Sequence, residues 1–416
     1  MGTAEEIFSI AKKASIAKAR APTGQKNEAL YSMTKRRREK KADILDPNRQ
    51  DIKAAEEQGL SKALQQRLVF DERKISARIR ALEEIASLPD PLGDCGEPRR
   101  LPNGLTLSKR RVPIGVVALI YEARPHVTVN AGALGLKSGN AVILKGGSET
   151  IRSNICLGRL WQQSLADVGL PHEAIQVVQI TQHQAVNELL KLDGYIDLVI
   201  PRGGKSLIDT VVENSRIPVI KHYLGICHTY VDGGTDLEMA LQVCLNAKLC
   251  QPEVCNAMET LLVAEKIAPD FLPEITRELE KHGVEIRGCA RTRDIVPQVK
   301  TASEDDWKTE YLDLILSIKV VEDVEEAISH INFYGSHHTD AIISNDRQRC
   351  RRFVEEVDSG VVLVNASTMF NDASQLGMGA EIGISTDKIH ARGPMGLEEL
   401  RTYKLVIQGN GEVMER

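Results

Sequence analysis

VPIGVVALIYEARPHVTVNAGALGLKSGNAVILKGGSE, residues 112–149, decides the architecture. Ile114 to Tyr121 is an almost continuous apolar run. Val127 to Lys137 has a helical pattern, and Ala141 to Lys145 is apolar again before Gly146-Gly147. A strand, a helix and a second strand closed by a Gly-rich turn form the unit of a parallel sheet covered on both faces. The same alternation continues downstream. It predicts a helix over 149–168, a strand over 175–180, a helix over 184–192 and a strand over 196–200. Arg202-Gly203-Gly204, a helix through Val212 and a short strand over 217–221 follow. A second set starts at Cys227, with strands expected near 227–232, 259–264, 284–287, 313–321, 340–344 and 360–365.

The flanks read differently. Apolar residues at three- and four-residue spacings predict helices over 28–45, 51–57 and 71–88. Leu88-Pro89-Asp90-Pro91-Leu92-Gly93 then breaks regular structure. Asn103-Gly104 between short β-prone runs predicts a hairpin within 101–110. Residues 402–407 read as one more strand without a local partner. The fold class is therefore α/β, with two doubly wound parallel-sheet domains in series.

The chain has 416 residues, 42% apolar and 27% charged, ordinary for a globular protein of more than one domain. Aromatic residues at 4% and a net charge of −5 exclude a base-stacking or broadly basic nucleic-acid surface. The basic run at 35–41 lies in a helical pattern with acids nearby and reads as a solvated face. No apolar stretch approaches the roughly 20 residues of a membrane span. The first residues lack the apolar core of a secretory signal, and the eight cysteines have no regular spacing. A cytoplasmic protein with reduced thiols and no metal site is expected.

No GxGxxG occurs, and Gly204-Lys205-Ser206 is not a P-loop end, because Val199 stands where its first Gly belongs. Two strand–Gly-turn–helix units remain. They are Lys145-Gly146-Gly147-Ser148 and the turn at Arg202, Gly203 and Gly204. Each places backbone N–H groups and a helix start at the carboxyl end of a strand, where anionic phosphates bind in open α/β sheets. A tight turn without a ligand is the alternative for both. Cys255, on a Pro-containing turn before an apolar run, is a candidate nucleophile. Cys227, beside His228, is its rival, although strand alternation puts those two side chains on opposite faces. Spacing alone leaves both open.

The stretch at 112–149, with ICHTYVD, VCNAMETLLV, YGSHHTDAIIS and GMGAEIGISTDKIHARGPMGLEEL, resembles the γ-glutamyl phosphate reductase family of the aldehyde dehydrogenase superfamily. The resemblance runs from about residue 25 to the C-terminus. It implies an NADPH-binding domain (1–99 and 113–226), a catalytic domain (227–395) and an oligomerisation element (100–112 and 396–416). It also implies a homo-oligomer and a contact with glutamate kinase. It selects Cys255 as the nucleophile and implies that Lys145 reaches the adenosine ribose or its 2′-phosphate. Ser148 stands where NAD-preferring relatives often carry Glu, and this favours NADPH. Glu310 would orient the nicotinamide ribose, and residues 223–227 lack the Glu base of hydrolytic relatives.

The implied reaction reduces L-glutamyl 5-phosphate to glutamate 5-semialdehyde through a Cys thioester, in proline biosynthesis. Asn256 is expected to meet the oxyanion. Arg124 is expected to hold the substrate carboxylate or phosphate, with Glu122 beside it; an Arg124–Glu122 ion pair is the alternative. The chain departs from the family pattern at His126 (usually Asn), Asn130 (Asp), His337 (Gly), Met369 (Arg) and Leu376 (Phe). These departures keep open a related acyl-phosphate or aldehyde reductase with a shifted substrate. An inactive binding paralogue is the remaining alternative.

Overall fold

A computed structural model describes residues 4–93, 95–180, 184–221 and 223–414. The chain divides into two compact units. The first comprises Met1–Lys221, Gly377–Gly383 and Met395–Arg416, and the second His222–Leu376 and Ile384–Pro394.

The first unit begins with five helices: α1 (Ala4–Lys18), α2 (Thr23–Glu39), α3 (Lys41–Glu57), α4 (Lys62–Leu68) and α5 (Glu72–Ser87). The single helix expected over 28–45 is broken at Lys40 (φ −108°, ψ 38°). That joint lets α2 pack against α5 and α7 while α3 packs against α4 and α7 (α7 is Ile151–Asp167). Apolar spacing runs on through a one-residue joint, so the break was not visible in it. Next come β1 (Arg99–Arg100), β2 (Thr106–Pro113), β3 (Val116–Tyr121), α6 (Pro125–Lys137), β4 (Ala141–Gly146), α7, β5 (Ile175–Val177), α8 (Gln184–Leu189), β6 (Leu198–Arg202) and α9 (Lys205–Asn214). Strands β5-β4-β3-β6 form a parallel sheet in that order. The segment expected as a strand over 217–221 contributes one bridge, Val199 to Val219.

All residues of β3 and β4 are buried, which explains their unbroken apolar sequence. α6 starts with Pro125, whose fixed φ suits a first turn. Its small residues bring the helix close to its neighbours. A Cβ on Gly132 would lie 2.4 Å from Trp161 Nε1, and one on Gly135 would lie 2.0 Å from Val142 Cγ2. The chain order crosses from β4 and β5 to β6 on the far side of β3. The carboxyl ends of β3 and β6 therefore flank a topological switch point, the usual ligand crevice of such sheets.

The second unit holds β7 (Cys227–Val231), α10 (Leu237–Leu249), β8 (Met258–Ala264), α11 (Ala268–Lys281), β9 (Glu285–Gly288), α12 (Ala290–Ile295), β10 (Lys300–Thr301), β11 (Ile315–Val321), α13 (Val324–Tyr334), β12 (Thr339–Ile343), α14 (Arg347–Glu356) and β13 (Val361–Val364). The seven strands are parallel, in the order β10-β9-β11-β8-β7-β12-β13. One apolar core joins this sheet to its helices, with Phe271, Leu272, Ile318 and Phe353 fully or almost fully buried.

Two short strands, β14 (Gly383–Ser385) and β15 (Gly393–Met395), precede β16 (Arg401–Gln408). The strand without a local partner and the expected hairpin meet here. β16 pairs antiparallel with β2 from Arg401–Pro113 to Gln408–Thr106, and β1 pairs with the other side of β2. Gly104 takes φ +89° in the turn, which glycine adopts without a Cβ penalty.

The unit boundary lies at 221/222 rather than 226/227. Gly225 and Ile226 donate their N–H groups to Glu310 and Ser336, which belong to the second unit. Gly377–Gly383 returns to the first unit, with Gly379 against Leu88 of that unit. Among the described residues, no helix is long and apolar enough to cross a membrane.

Gly132→Ala drives a methyl group into a fully buried indole. It should cost about 1–3 kcal/mol of stability, read as a lower denaturation midpoint at unchanged m-value.

Candidate active site

In the second unit the chemistry-bearing residues collect on segments that lead into strands. Gly225 and Ile226 precede β7, Cys255 and Asn256 precede β8, Glu310–Leu312 precede β11, and Ser336–His338 precede β12. The site therefore lies at the amino edge of the sheet, opposite to the edge that open α/β sheets normally use.

Cys255 is half-buried, while its rival Cys227 is sealed. Burial pushes the Cys227 thiol well above its ordinary range, so it is a poor nucleophile. Its Sγ lies 3.2 Å from the Cys255 carbonyl oxygen and supports the turn from below. Gly225 presses on the same carbonyl: a Cβ there would lie 1.9 Å from Cys255 O. The Gly225 N–H donates to Glu310 Oε1 at 2.8 Å, so the expected cofactor carboxylate and the expected nucleophile share one glycine as neighbour. Burial raises the Glu310 carboxyl, opposed by that N–H.

A buried ion pair closes the frame. Lys248 Nζ lies 2.7 Å from Glu259 Oε2, with both side chains at most 1% exposed. Glu259 Oε1 accepts the Leu312 N–H at 3.0 Å. Burial pushes the Glu259 carboxyl up to about 7 against the pull of Lys248.

Asn256 Nδ2 faces the carbonyls of Thr368, Met369 and Asn371 at 3.2–3.4 Å, which ties down the turn after β13. His337 takes φ +61°. Its Nδ1 contacts Asp358 O at 2.6 Å, which offsets part of the left-handed strain.

In the first unit, Glu122, Ala123 and Arg124 follow β3, Gly146–Ser148 follow β4, and Arg202–Gly204 end and follow β6. Lys145 is nearly buried, with Nζ 3.0 Å from Gly146 O. Burial lowers its ammonium against the influence of Glu149. Ser148 is exposed at the start of the next helical turn.

Both helix starts carry a carboxylate of the protein itself. The Asp51 carboxylate takes the N–H groups of Arg152 and Ser153 at the start of α7, at 3.3 and 2.8 Å. The Glu122 carboxylate accepts the Gly204 N–H at 2.9 Å, just before α9. Glu122 therefore braces the Gly203-Gly204 turn. A Cβ on Gly203 would lie 2.4 Å from the same oxygen. Glu149 reaches back to the Ala123 N–H at 2.6 Å, where Ala123 takes φ +45°.

Arg124 is the N-cap residue of α6. Around His126, two positions on, lie Arg78, Arg124, Lys74 and Arg202. Burial first, and then these cations, push the imidazole down to about 3. Lys74 and Arg78 share one face of α5, which packs on α6, and Arg78 Nη1 is 3.4 Å from Asn130 Oδ1. Two of the departures from the family pattern thus sit in one cationic patch.

Several of these residues were missed in the sequence. Lys248 and Glu259 flank Cys255 at −7 and +4, but they lie on different elements and share no period. Asp51, Arg78 and Lys74 are distant in sequence from everything they serve. Glu149 stood within the quoted turn and could have been read as its brace. Among the described residues, no cluster of His, Cys, Asp or Glu is placed to hold a metal ion.

The aldehyde dehydrogenase family model matches residues 3–315. The γ-glutamyl phosphate reductase of Thermodesulfovibrio yellowstonii is 50% identical over 405 residues, 97% of each chain. That of Geobacter metallireducens is 48% identical over the whole of both. The chain belongs to the γ-glutamyl phosphate reductases of the aldehyde dehydrogenase family. The crystal structure of the Thermotoga maritima γ-glutamyl phosphate reductase superposes with a TM-score of 0.96 at 44% identity, covering 99% of each chain. An acetylating aldehyde dehydrogenase from Geobacillus thermoglucosidasius shares the fold at a TM-score of 0.69 and 17% identity. The amino-edge placement of the Cys turn is thus carried within a γ-glutamyl phosphate reductase chain, on the fold of the wider family.

His126 is neutral in the folded protein, and its pKa in the unfolded chain is about 6.5. Below that pH the unfolded chain binds a proton that the folded one refuses, so stability is lost as pH falls from about 6.5 toward 3. His126→Asn should lose less stability than the parent between pH 6.5 and 4, measured by thermal melts across that range.

Proposed function

We propose that this protein is an NADPH-dependent γ-glutamyl phosphate reductase. It would convert L-glutamyl 5-phosphate to L-glutamate 5-semialdehyde and phosphate in proline biosynthesis. The observation that carries the reading is the half-buried Cys255 on a turn clamped to Glu310 through Gly225. It is joined by the full-length likeness to proteins of that name.

The Cys255 thiolate attacks the γ-carbonyl carbon of the acyl phosphate. The C–O bond to phosphate breaks, phosphate leaves and a thioester remains, so one hard reduction becomes two easier steps. NADPH, when bound, supplies the hydride that reduces this thioester to the aldehyde and frees the sulfur. A backbone N–H on the Cys255 turn meets the oxyanion, a contact typically worth about 3–4 kcal/mol of barrier. Arg124 binds the substrate carboxylate or the leaving phosphate, with Lys74 and Arg202 adding to the local positive field.

The donor set of the first unit fits a dinucleotide with a 2′-phosphate. Lys145 supplies an ammonium group and Ser148 an exposed hydroxyl at the carboxyl end of β4. Glu310 would hold the nicotinamide ribose. The Gly203-Gly204 turn serves the pyrophosphate only if the Glu122 carboxylate gives up the Gly204 N–H.

The protein acts in the cytoplasm as a homo-oligomer. Tyr403, Leu405 and Ile407 alternate along β16 and stand about half-exposed, an apolar stripe that suits a second copy. A shifted acyl substrate is the second reading and rests on Met369 and on His126, which stands among Arg78, Arg124, Lys74 and Arg202.

Phosphate-dependent oxidation of glutamate 5-semialdehyde, followed at 340 nm in the reverse direction, tests the reading. Cys255→Ala should abolish this activity. Turnover only with other aldehydes would establish the shifted substrate, and no turnover with any would establish a binding paralogue. Ser148→Glu should weaken NADPH binding at least tenfold more than NADH binding; equal loss for both would refute the role of Ser148.

A further inference from the structure

The buried pair Lys248–Glu259 belongs to a closed circuit that holds both Cys255 and Glu310. Starting at the nucleophile, Gly225 packs on the Cys255 carbonyl with no room for a side chain. The Gly225 N–H donates to Glu310 Oε1. Two residues beyond Glu310, the Leu312 N–H donates to Glu259 Oε1. Glu259 then returns along the chain to Cys255, four residues earlier. Its other oxygen is pinned by Lys248, from the last turn of α10, the helix that enters the Cys255 turn.

Leu312 marks the tension in this circuit. It takes φ +53°, a conformation that L-residues with side chains rarely adopt, and its N–H bond to Glu259 helps to hold it there. Without an acceptor at Glu259, the segment from Glu310 to Leu312 loses the anchor of its C-terminal end. The Cys255 turn keeps its other supports, the Cys227 Sγ contact and the Asn256 bonds to residues 368–371. The circuit therefore separates two tasks: its Leu312 link governs where the Glu310 carboxylate sits, and other contacts govern the sulfur.

We infer that Glu259, pinned by Lys248, is a positioning residue that fixes the Glu310 segment relative to the Cys255 turn through its bond to the Leu312 N–H. The pair thereby sets cofactor affinity rather than thiol reactivity. This rests on the reading of Glu310 as a cofactor ligand and of Cys255 as the nucleophile. The charge of the pair is secondary, and the acceptor oxygen toward Leu312 is what matters. A buried ion pair removed as a unit is often neutral for stability, whereas loss of one partner leaves an uncompensated charge.

Two double variants separate these roles. Lys248→Met with Glu259→Gln removes both charges and keeps an acceptor for the Leu312 N–H. Lys248→Met with Glu259→Leu removes both charges and the acceptor. NADPH binding is titrated by nucleotide fluorescence, and Cys255 alkylation by iodoacetamide is followed by peptide mass spectrometry. Thermal melts confirm that both variants fold. The Gln variant should bind NADPH within about threefold of the parent. The Leu variant should bind at least tenfold more weakly, while its Cys255 alkylation rate stays within about twofold.

Equal NADPH affinity in all three proteins would overturn the inference, as would an equal loss in both variants. A Cys255 alkylation rate that changes in step with NADPH affinity would overturn it too. A parent protein that binds no NADPH would instead overturn the cofactor reading, and the inference with it. If the Leu variant fails to fold, Lys248→Met with Glu259→Met takes its place under the same criteria.

Discussion

A main-chain carbonyl pressed against a glycine holds the candidate site of the second unit in register. Cys255 O and Gly225 approach so closely that no other residue fits at 225. Everything reactive in the second unit is referenced to that contact. Glu310 is bonded to the Gly225 N–H, Cys227 supports the carbonyl from the core, and Asn256 ties the next residue to the turn at 368–371. A backbone contact between two loops is less tolerant than a side-chain contact, because neither partner has a rotamer to adjust. The sulfur is thus placed by the fold rather than by a flexible arm.

The first unit shows a different economy. Both helix starts that could receive phosphates already hold carboxylates of the protein itself, Asp51 at α7 and Glu122 before α9. Asp51 is fully buried and also bonded by Ser153 Oγ, so it is a permanent part of the core. Glu122 is exposed and crosses the switch point from β3 to the turn after β6. A carboxylate in that position satisfies backbone N–H groups that would otherwise depend on solvent, and any nucleotide phosphate there competes with it.

The alternating strands and helices were legible because burial on both faces of a parallel sheet forces unbroken apolar runs such as Val116–Tyr121. The Asn103-Gly104 turn was legible from its residue types, whereas spacing left Cys255 and Cys227 both open and only the family resemblance chose between them. The partnership of β16 with β2 was implied only by the family resemblance, since antiparallel pairing between residues nearly 300 positions apart leaves no local trace. The break at Lys40, the Asp51 cap and the Lys248–Glu259 pair were hidden for the same reason. Each depends on which faces meet in three dimensions, and a face reads the same whatever covers it. The same holds for Asn256, whose amide contacts with residues 368–371 leave no trace in the sequence around it.

The amino-edge location of the Cys255 turn has an electrostatic consequence. Helices in a parallel sheet run against the strands, so at this edge they present their carbonyl ends. α10 finishes at Leu249 and α13 at Tyr334, both on that side. The macrodipoles therefore bring negative partial charge toward the sulfur's edge of the sheet, the reverse of the field that draws phosphate to a nucleotide fold. An anionic group brought to that edge would draw its compensating positive charge from guanidinium and ammonium side chains rather than from helix ends.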